Sequence, residues 1–436
     1  MTDNGQKAEQ LGLWTVSSLV VGSMIGSGIF SIPTALAPFG GISLLGWVFS
    51  AAGALVLAIV MSRLSRVIPA TGGPYAYSRE AFGDLTAFIV AWGYWISVWT
   101  TNAAITITFI SYLSVFVPAL ADNTILATGT GLITLWALTA LNSHSVKNGG
   151  KLQLISTILK VLPIIAITIV GFFFFDASNF VPFNKSASSS LQAITVCTAF
   201  CLFAFLGLES ATIPAGNIKE PKKTIPRATM LGTIFVILIY ILSSTSLFGI
   251  LPPDQLTTSV APYSDAAASL WGENARYLVA AGACISAFGA LNAWILIQGQ
   301  LPMAMANDKL LPKAFGKTNK NAAPSFSIIF SSIIVTVLLI ANQAKGLNGL
   351  YAFALLLTAV TVMLSYLMSA LALGLFAIKQ RHGFKVTIGN IIIVILSIAF
   401  SLWMFVGSGL EANLYGLGSI AAGVPIYFWY KKTKAK

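Results

Sequence analysis

Charge is the scarcest property of this sequence. Of 436 residues, 25 are Lys or Arg and 13 are Asp or Glu, 9% in all, where a soluble globular chain carries about 25%. So few charges cannot clothe 46.1 kDa in water, which excludes a soluble enzyme and points to an integral membrane protein. Cysteine is nearly as scarce. Cys197, Cys201 and Cys284 all lie in apolar runs, which excludes a disulfide or thiolate–metal framework and reads as small buried apolar residues. The two histidines, His144 and His382, stand at loop positions without Cys or acidic partners at metal-ligand spacing. No phosphate-cradling loop is present, and Gly72, Gly73 and Pro74 read as a turn. Neither catalysis nor a cofactor or metal is therefore expected. The first residues, MTDNGQKAEQLGLWT, lack the charged start and cleavage site of a signal peptide, so the first apolar run is expected to remain as a span.

Apolar sequence is abundant: 56% of residues are hydrophobic and the mean hydropathy is +0.84. A helical span needs about 20 mostly apolar residues to cross roughly 30 Å of hydrocarbon. The runs between polar breaks predict twelve spans, over 12–37, 42–63, 82–117, 124–142, 152–175, 191–215, 226–251, 276–304, 324–342, 348–378, 386–407 and 412–430. They are continuous rather than alternating, which argues against barrel strands. With the N-terminus inside, 21 of the 25 basic residues fall on inner segments; Lys185, Arg276 and Lys345 fall outside and Lys160 within a span. That asymmetry predicts both termini in the cytoplasm of a multi-pass cell-membrane protein, by location a bacterial inner membrane. It also reads the basic excess as topology and contact with anionic headgroups of the lipid bilayer, not nucleic-acid binding. The expected organisation is a cytoplasmic tail over 1–11, a single membrane-embedded domain over 12–430 and a cytoplasmic basic tail over 431–436.

Two spans are interrupted alike. Span 1 contains GSMIGSGIFSIP (Gly22 to Pro33) and span 6 contains FAFLGLESATIP (Phe203 to Pro214). Superposing their ends pairs Gly26 with Gly207, Ser31 with Thr212 and Pro33 with Pro214. Five spans separate the two, so the second enters the membrane from the opposite side. This predicts an all-α five-plus-five inverted repeat, about 12–175 against 191–378, with broken helices 1 and 6 and two further helices over 386–430. A mid-membrane break leaves unpaired amides and carbonyls, tolerable only around a polar cavity. A half-helix N-terminus suits a carboxylate and the opposing carbonyls suit an ammonium, and the backbone of an amino acid presents both.

These residues, with ATGGPYAYSREAFG (Ala70 to Gly83) and EPKKTIPRA (Glu220 to Ala228), resemble the amino acid–polyamine–organocation superfamily. Within it the chain is most similar to basic amino acid/polyamine antiporters such as the bacterial arginine/agmatine antiporter, over about residues 10 to 430. The resemblance implies alternating access, a bundle of spans 1, 2, 6 and 7 rocking against a scaffold, and a homodimer. It implies that Met24, Ile25, Ser27 and Gly28 hold the carboxylate and amine of the substrate, that Asn102, Phe203, Leu206 and Trp294 complete the substrate site, and that Tyr94 acts as a gate. Phe203 stands where the arginine/agmatine antiporter has Trp, and a cation stacks less well on Phe than on Trp.

Two charged side chains, Lys160 and Glu209, sit well inside predicted spans, where a charge costs roughly 2.5–3.5 kcal/mol on insertion scales. Glu209 follows the break in span 6, and the resemblance implies a part in gating and proton sensitivity. Lys160 lies in a helix with no acid, so burial would let it exchange a proton near neutral pH; the arginine/agmatine antiporter pattern is apolar there. Two readings follow. The first is a secondary active transporter exchanging an amino acid, arginine or another basic one among the candidates, for a related amine or amino acid. The alternative is a proton-coupled symporter of neutral amino acids that uses Lys160.

Overall fold

The computed structural model describes residues 11–69, 72–144, 161–212, 218–321, 323–341 and 346–434. Among them the chain is helical, with no strand beyond a single bridge between Leu11 and Ile218. The long elements are α1 (Leu13–Met24), α2 (Ser27–Leu36), α3 (Ser43–Val67), α4 (Pro74–Phe82), α5 (Asp84–Leu113), α6 (Thr124–His144), α7 (Val161–Phe174) and α8 (Ser190–Leu202). After them come α9 (Pro221–Ile250), α10 (Pro262–Trp271), α11 (Glu273–Asn307), α12 (Ser325–Ala341), α13 (Gly346–Ile378), α14 (Ile388–Gly407), α15 (Gly409–Ala421) and α16 (Gly423–Lys434).

Eight helical segments among the described residues are long and apolar enough to cross a membrane, and α7 and α12 are shorter apolar helices. In the bilayer every backbone polar group must be satisfied within the protein, so uninterrupted apolar sequence has little choice but to coil. α5 is the spine of the molecule. Its 30 residues, about 45 Å of helix, bury Tyr94, Thr101, Asn102 and Thr108 among their neighbours. The outward faces carry large apolar side chains such as Ile133, Leu278 and Ile395, the arrangement expected where lipid rather than water is the solvent.

The first predicted span is two helices. α1 ends at Met24, Ile25 and Gly26 leave helical geometry, and α2 starts at Ser27. Side chains from other elements reach the break and the helix after it: the Tyr240 hydroxyl donates to Met24 O (2.6 Å), and within α2 the Tyr112 hydroxyl donates to Phe30 O (2.8 Å). The sixth predicted span is also interrupted. α8 gives way at Phe203 to a short tight helical turn, Leu206 is extended, and Gly207 takes φ +99°, a conformation that favours glycine. The two breaks pack directly on each other. A Cβ on Gly28 would lie 3.0 Å from the Cα and Cβ of Ala204, and one on Gly207 2.9 Å from Ser23 Cβ. After the second break Ser210–Thr212 form a short tight helical turn, and Pro214 lies outside the described residues.

Other departures are at ends and loops. The region 252–275, expected as a polar break, contains α10 with Tyr263 and Ser264 buried. The last predicted span is divided, α15 ending at Ala421 and α16 starting at Gly423. Gly423 faces the indole of Trp92 so closely that a Cβ would meet the ring at 2.6 Å.

Candidate functional site

A cavity of about 250 Å³ opens where the two breaks meet, lined by Ser23, Met24, Gly26, Ser27, Gly28, Thr101, Ile105, Phe203, Leu206 and Trp294. Its wall combines broken backbone, three hydroxyls and two aromatic rings, with no charged side chain among the lining residues. The hydroxyls of Ser27 and Thr101 are buried and have no hydrogen-bond partner among the described residues. Buried polar groups are nearly always paired, so these two are available to something that enters the cavity.

The cavity is bounded differently on its two sides. Toward the end of the bundle where α5 begins, Glu209 is 1% exposed, and its carboxylate accepts from Tyr94 (2.6 Å) and Tyr366 (2.7 Å). This clamp ties the broken segment after α8 to both α5 and α13. Farther along the same end, Tyr75 of α4 donates to Asp308 (2.6 Å), and Arg79 bonds both Asp84 (2.9 Å) and Asp308 (2.8 Å). Burial first, then the bond to Asp308, push the Tyr75 phenol well above its ordinary value, so it stays a donor. The bond to Asp84 likewise raises Arg79, which stays a cation. These ion pairs are more than a third exposed and each contributes under about 1 kcal/mol. The Glu209 clamp is therefore the stronger closure at this end.

On the opposite side stands Tyr351 of α13. Its ring meets Phe203 edge-on, centroids 6.3 Å apart, and its hydroxyl donates to Ser27 O at 3.4 Å. Beyond it lies a second cavity of about 270 Å³, lined by Ser31, Thr34, Ala35, Ser111, Val260, Asn348 and Tyr351 itself. One phenol thus stands between two polar spaces.

The expected site residues can now be located. Met24, Ser27, Gly28, Phe203, Leu206 and Trp294 converge on the central cavity, and Tyr94 meets Glu209. Ile25 is fully buried beside the break but does not line the space; its amide bonds Val21 O. Asn102 is also fully buried, and its side-chain amide donates to Gln298 Oε1 (2.7 Å) rather than lining the cavity. Lys160 lies outside the described residues. Sequence reading missed Ser23, Thr101 and Ile105 in the wall, Tyr366 in the clamp and Tyr351 between the cavities, while Gly26 was singled out only as part of the break. Of these, Thr101 carried a signal, a polar residue one step from Asn102 in an apolar helix; the two tyrosines sit in apolar surroundings and carried none.

Residues 11–421 match the family described as amino acid permease. A cadaverine/lysine antiporter of Escherichia coli strain K12 is 32% identical over 439 residues, covering 98% of this chain and 95% of that protein. An arginine/ornithine antiporter of Pseudomonas aeruginosa is 29% identical, covering 95% and 90%, and the putrescine transporter PotE of Haemophilus influenzae is 28% identical, covering 94% of each.

Proposed function

The chain belongs to the amino acid permease family, and from that premise we propose that it is an antiporter exchanging a basic amino acid for a related amine across the membrane. The observation that carries the proposal is the small cavity formed where two helix breaks meet, walled by broken backbone, two hydroxyls unpaired among the described residues and two aromatic rings. The relatives whose names specify exchange, of lysine with cadaverine and of arginine with ornithine, support exchange over proton-coupled symport. Nothing observed favours the symport alternative.

In this reading the N-terminus of α2, starting at Ser27, offers amides and positive dipole to the α-carboxylate of the substrate. The carbonyls at the end of α1 accept from its α-ammonium. Phe203 and Trp294 pack the aliphatic chain and face its distal cation. Tyr351 closes one approach and the Tyr94–Glu209–Tyr366 clamp the other, and transport alternates which of them opens. The chain crosses the membrane twelve times: the eight long apolar segments, with Leu13–Val67 counted as two, the shorter α7 and α12, and α15–α16 as one more accommodate that number. The two breaks belong to inverted repeats, a relation supported by the pairing of Gly26 with Gly207 at the points where helical geometry is lost. The ends of α5 and α11 nearest Asp84 and Asp308 face the cytoplasm, as do both termini.

A competition panel tests this reading. Purified protein is challenged with the twenty amino acids and their decarboxylated amines against a labelled basic amino acid. Lysine, arginine, ornithine and their amines are expected to compete and neutral amino acids to compete weakly. Competition by neutral amino acids alone contradicts the proposal.

A further inference from the structure

Basic side chains collect where α3 ends and α14 begins. Arg63 and Arg66 lie one turn apart near the end of α3, and Lys379, Arg381 and Lys385 stand in the connection from α13 to α14. The Arg63 guanidinium crosses to the first turn of α14, where it donates to Asn390 Oδ1 and to Gly389 O (3.5 Å). Asn390 donates in turn from Nδ2 to Lys385 O (2.8 Å), and its backbone amide bonds Thr387 Oγ1 (3.2 Å). These bonds fasten the connection to α3 and leave Arg66, Lys379, Arg381 and Lys385 exposed. None of the five basic residues has an ion-pair partner among the described residues. The carboxylate of Glu80 faces His382 instead (3.4 Å).

Exposed aliphatic side chains adjoin these cations. Ile378 precedes Lys379, Val386 follows Lys385 and Ile388 opens α14, each more than half exposed. Down α14, Ile391, Ile392 and Ile395 follow Ile388 at the three-, four- and seven-residue spacing of one helix face, and they too are exposed. On a membrane helix such a stripe faces hydrocarbon, so the cations above it stand at headgroup depth. The connection over 308–321 differs. Lys309, Lys313, Lys317 and Lys320 are exposed there, but no large apolar side chain is exposed among its described residues, and nothing draws those lysines to lipid.

We propose that this corner binds one acidic phospholipid of the bilayer, its phosphodiester held among Arg66, Arg381 and Lys385 and an acyl chain lying along the Ile388–Ile395 stripe. Cations fixed at headgroup depth without an acid of their own call for a phosphate, the anion that the bilayer supplies there. Charge and apolar surface are matched by one molecule that carries both. Free phosphate would answer the cations and leave the stripe bare. A second copy of the chain would cover the stripe, but a two-fold contact centred on this corner sets the same unpaired cations against themselves. Such a site is independent of what the central cavity carries.

The test is native mass spectrometry of the full chain, titrated in detergent with phosphatidylglycerol or with phosphatidylcholine of the same acyl chains, reading the Kd of the first lipid bound. Phosphatidylglycerol is expected to bind at least about tenfold more tightly than phosphatidylcholine. The triple variant Arg66→Gln, Arg381→Gln, Lys385→Gln should weaken phosphatidylglycerol about a hundredfold, near fivefold for each charge, and phosphatidylcholine less than about threefold. The control triple Lys313→Gln, Lys317→Gln, Lys320→Gln should leave both lipids within about twofold. If the first triple variant fails to insert, Lys385→Gln alone is expected to weaken phosphatidylglycerol about fivefold. Equal Kd for the two lipids, undiminished binding by the variants of this corner, or equal losses in the two triple variants would overturn the proposal. So would displacement of phosphatidylglycerol by millimolar inorganic phosphate, which makes the corner a free-anion site, or a dimer mass that retains no phosphatidylglycerol, which gives this face to a second copy.

Discussion

Glu209 shows what a single residue is asked to do here. A carboxylate 1% exposed is tolerable only when its oxygens are occupied, and Tyr94 and Tyr366 occupy both, one from each of two helices that flank the break. Each bond to such a charged acceptor is worth about 1.5–3 kcal/mol. Tyr366→Phe should therefore lower the unfolding midpoint of the solubilised protein clearly, whereas Tyr415→Phe, at a ring 59% exposed, should leave it nearly unchanged. Equal midpoints for the two variants would show that the clamp carries no stability. Glu209 was legible in the sequence because an acid inside an apolar run is conspicuous. Its partners were not, since Tyr366 lies 157 residues away and a tyrosine in a membrane helix has many bland reasons to be there. Asn102 was half legible: its place near the substrate region could be named, but not that an amide 196 residues away had already claimed its donor.

At the scale of elements, the decisive feature is that two interrupted helices cross at their interruptions. Glycine allows the approach. Ala at position 28 would press its Cβ on the backbone of Ala204, and Ala at position 207 would be strained at φ +99° as well as crowded by Ser23. Gly28→Ala and Gly207→Ala should each cost about 1–3 kcal/mol and abolish most transport. Gly129→Ala, in a helix where a Cβ meets nothing within 4 Å, should be neutral or gain up to about 1 kcal/mol in helix propensity. Denaturation midpoints and uptake rates of the three variants check this, and a neutral Gly28→Ala would separate the close crossing from function. The breaks could be read from the Gly and Pro spacing because local chemistry dictates them. The boundaries of α9 and α11, several residues longer than the apolar runs suggested, could not, since polar end turns are held by tertiary contacts and caps rather than by hydropathy.

For the whole molecule, scarcity of charge is what unites architecture and activity. A protein with so few ionised groups has no water-facing domain in which to act, so its chemistry is confined to a cavity between helices. That cavity lies between a carboxylate held by two phenols on one side and a single phenol on the other. Alternating access needs a barrier on each side of one site, opened in turn; exchange adds that the site must be reloaded before it returns. Charge counting revealed the membrane and suggested the orientation, while the closures emerged only when distant helices were packed together.

The central claim is that return of the site is coupled to a second cargo, and counterflow measures that directly. Proteoliposomes containing the full chain are loaded with cadaverine or left empty, and labelled lysine is added outside. Exchange predicts that loaded vesicles take up lysine many times faster and reach a transient accumulation above equilibrium. Equal uptake by loaded and empty vesicles would contradict it.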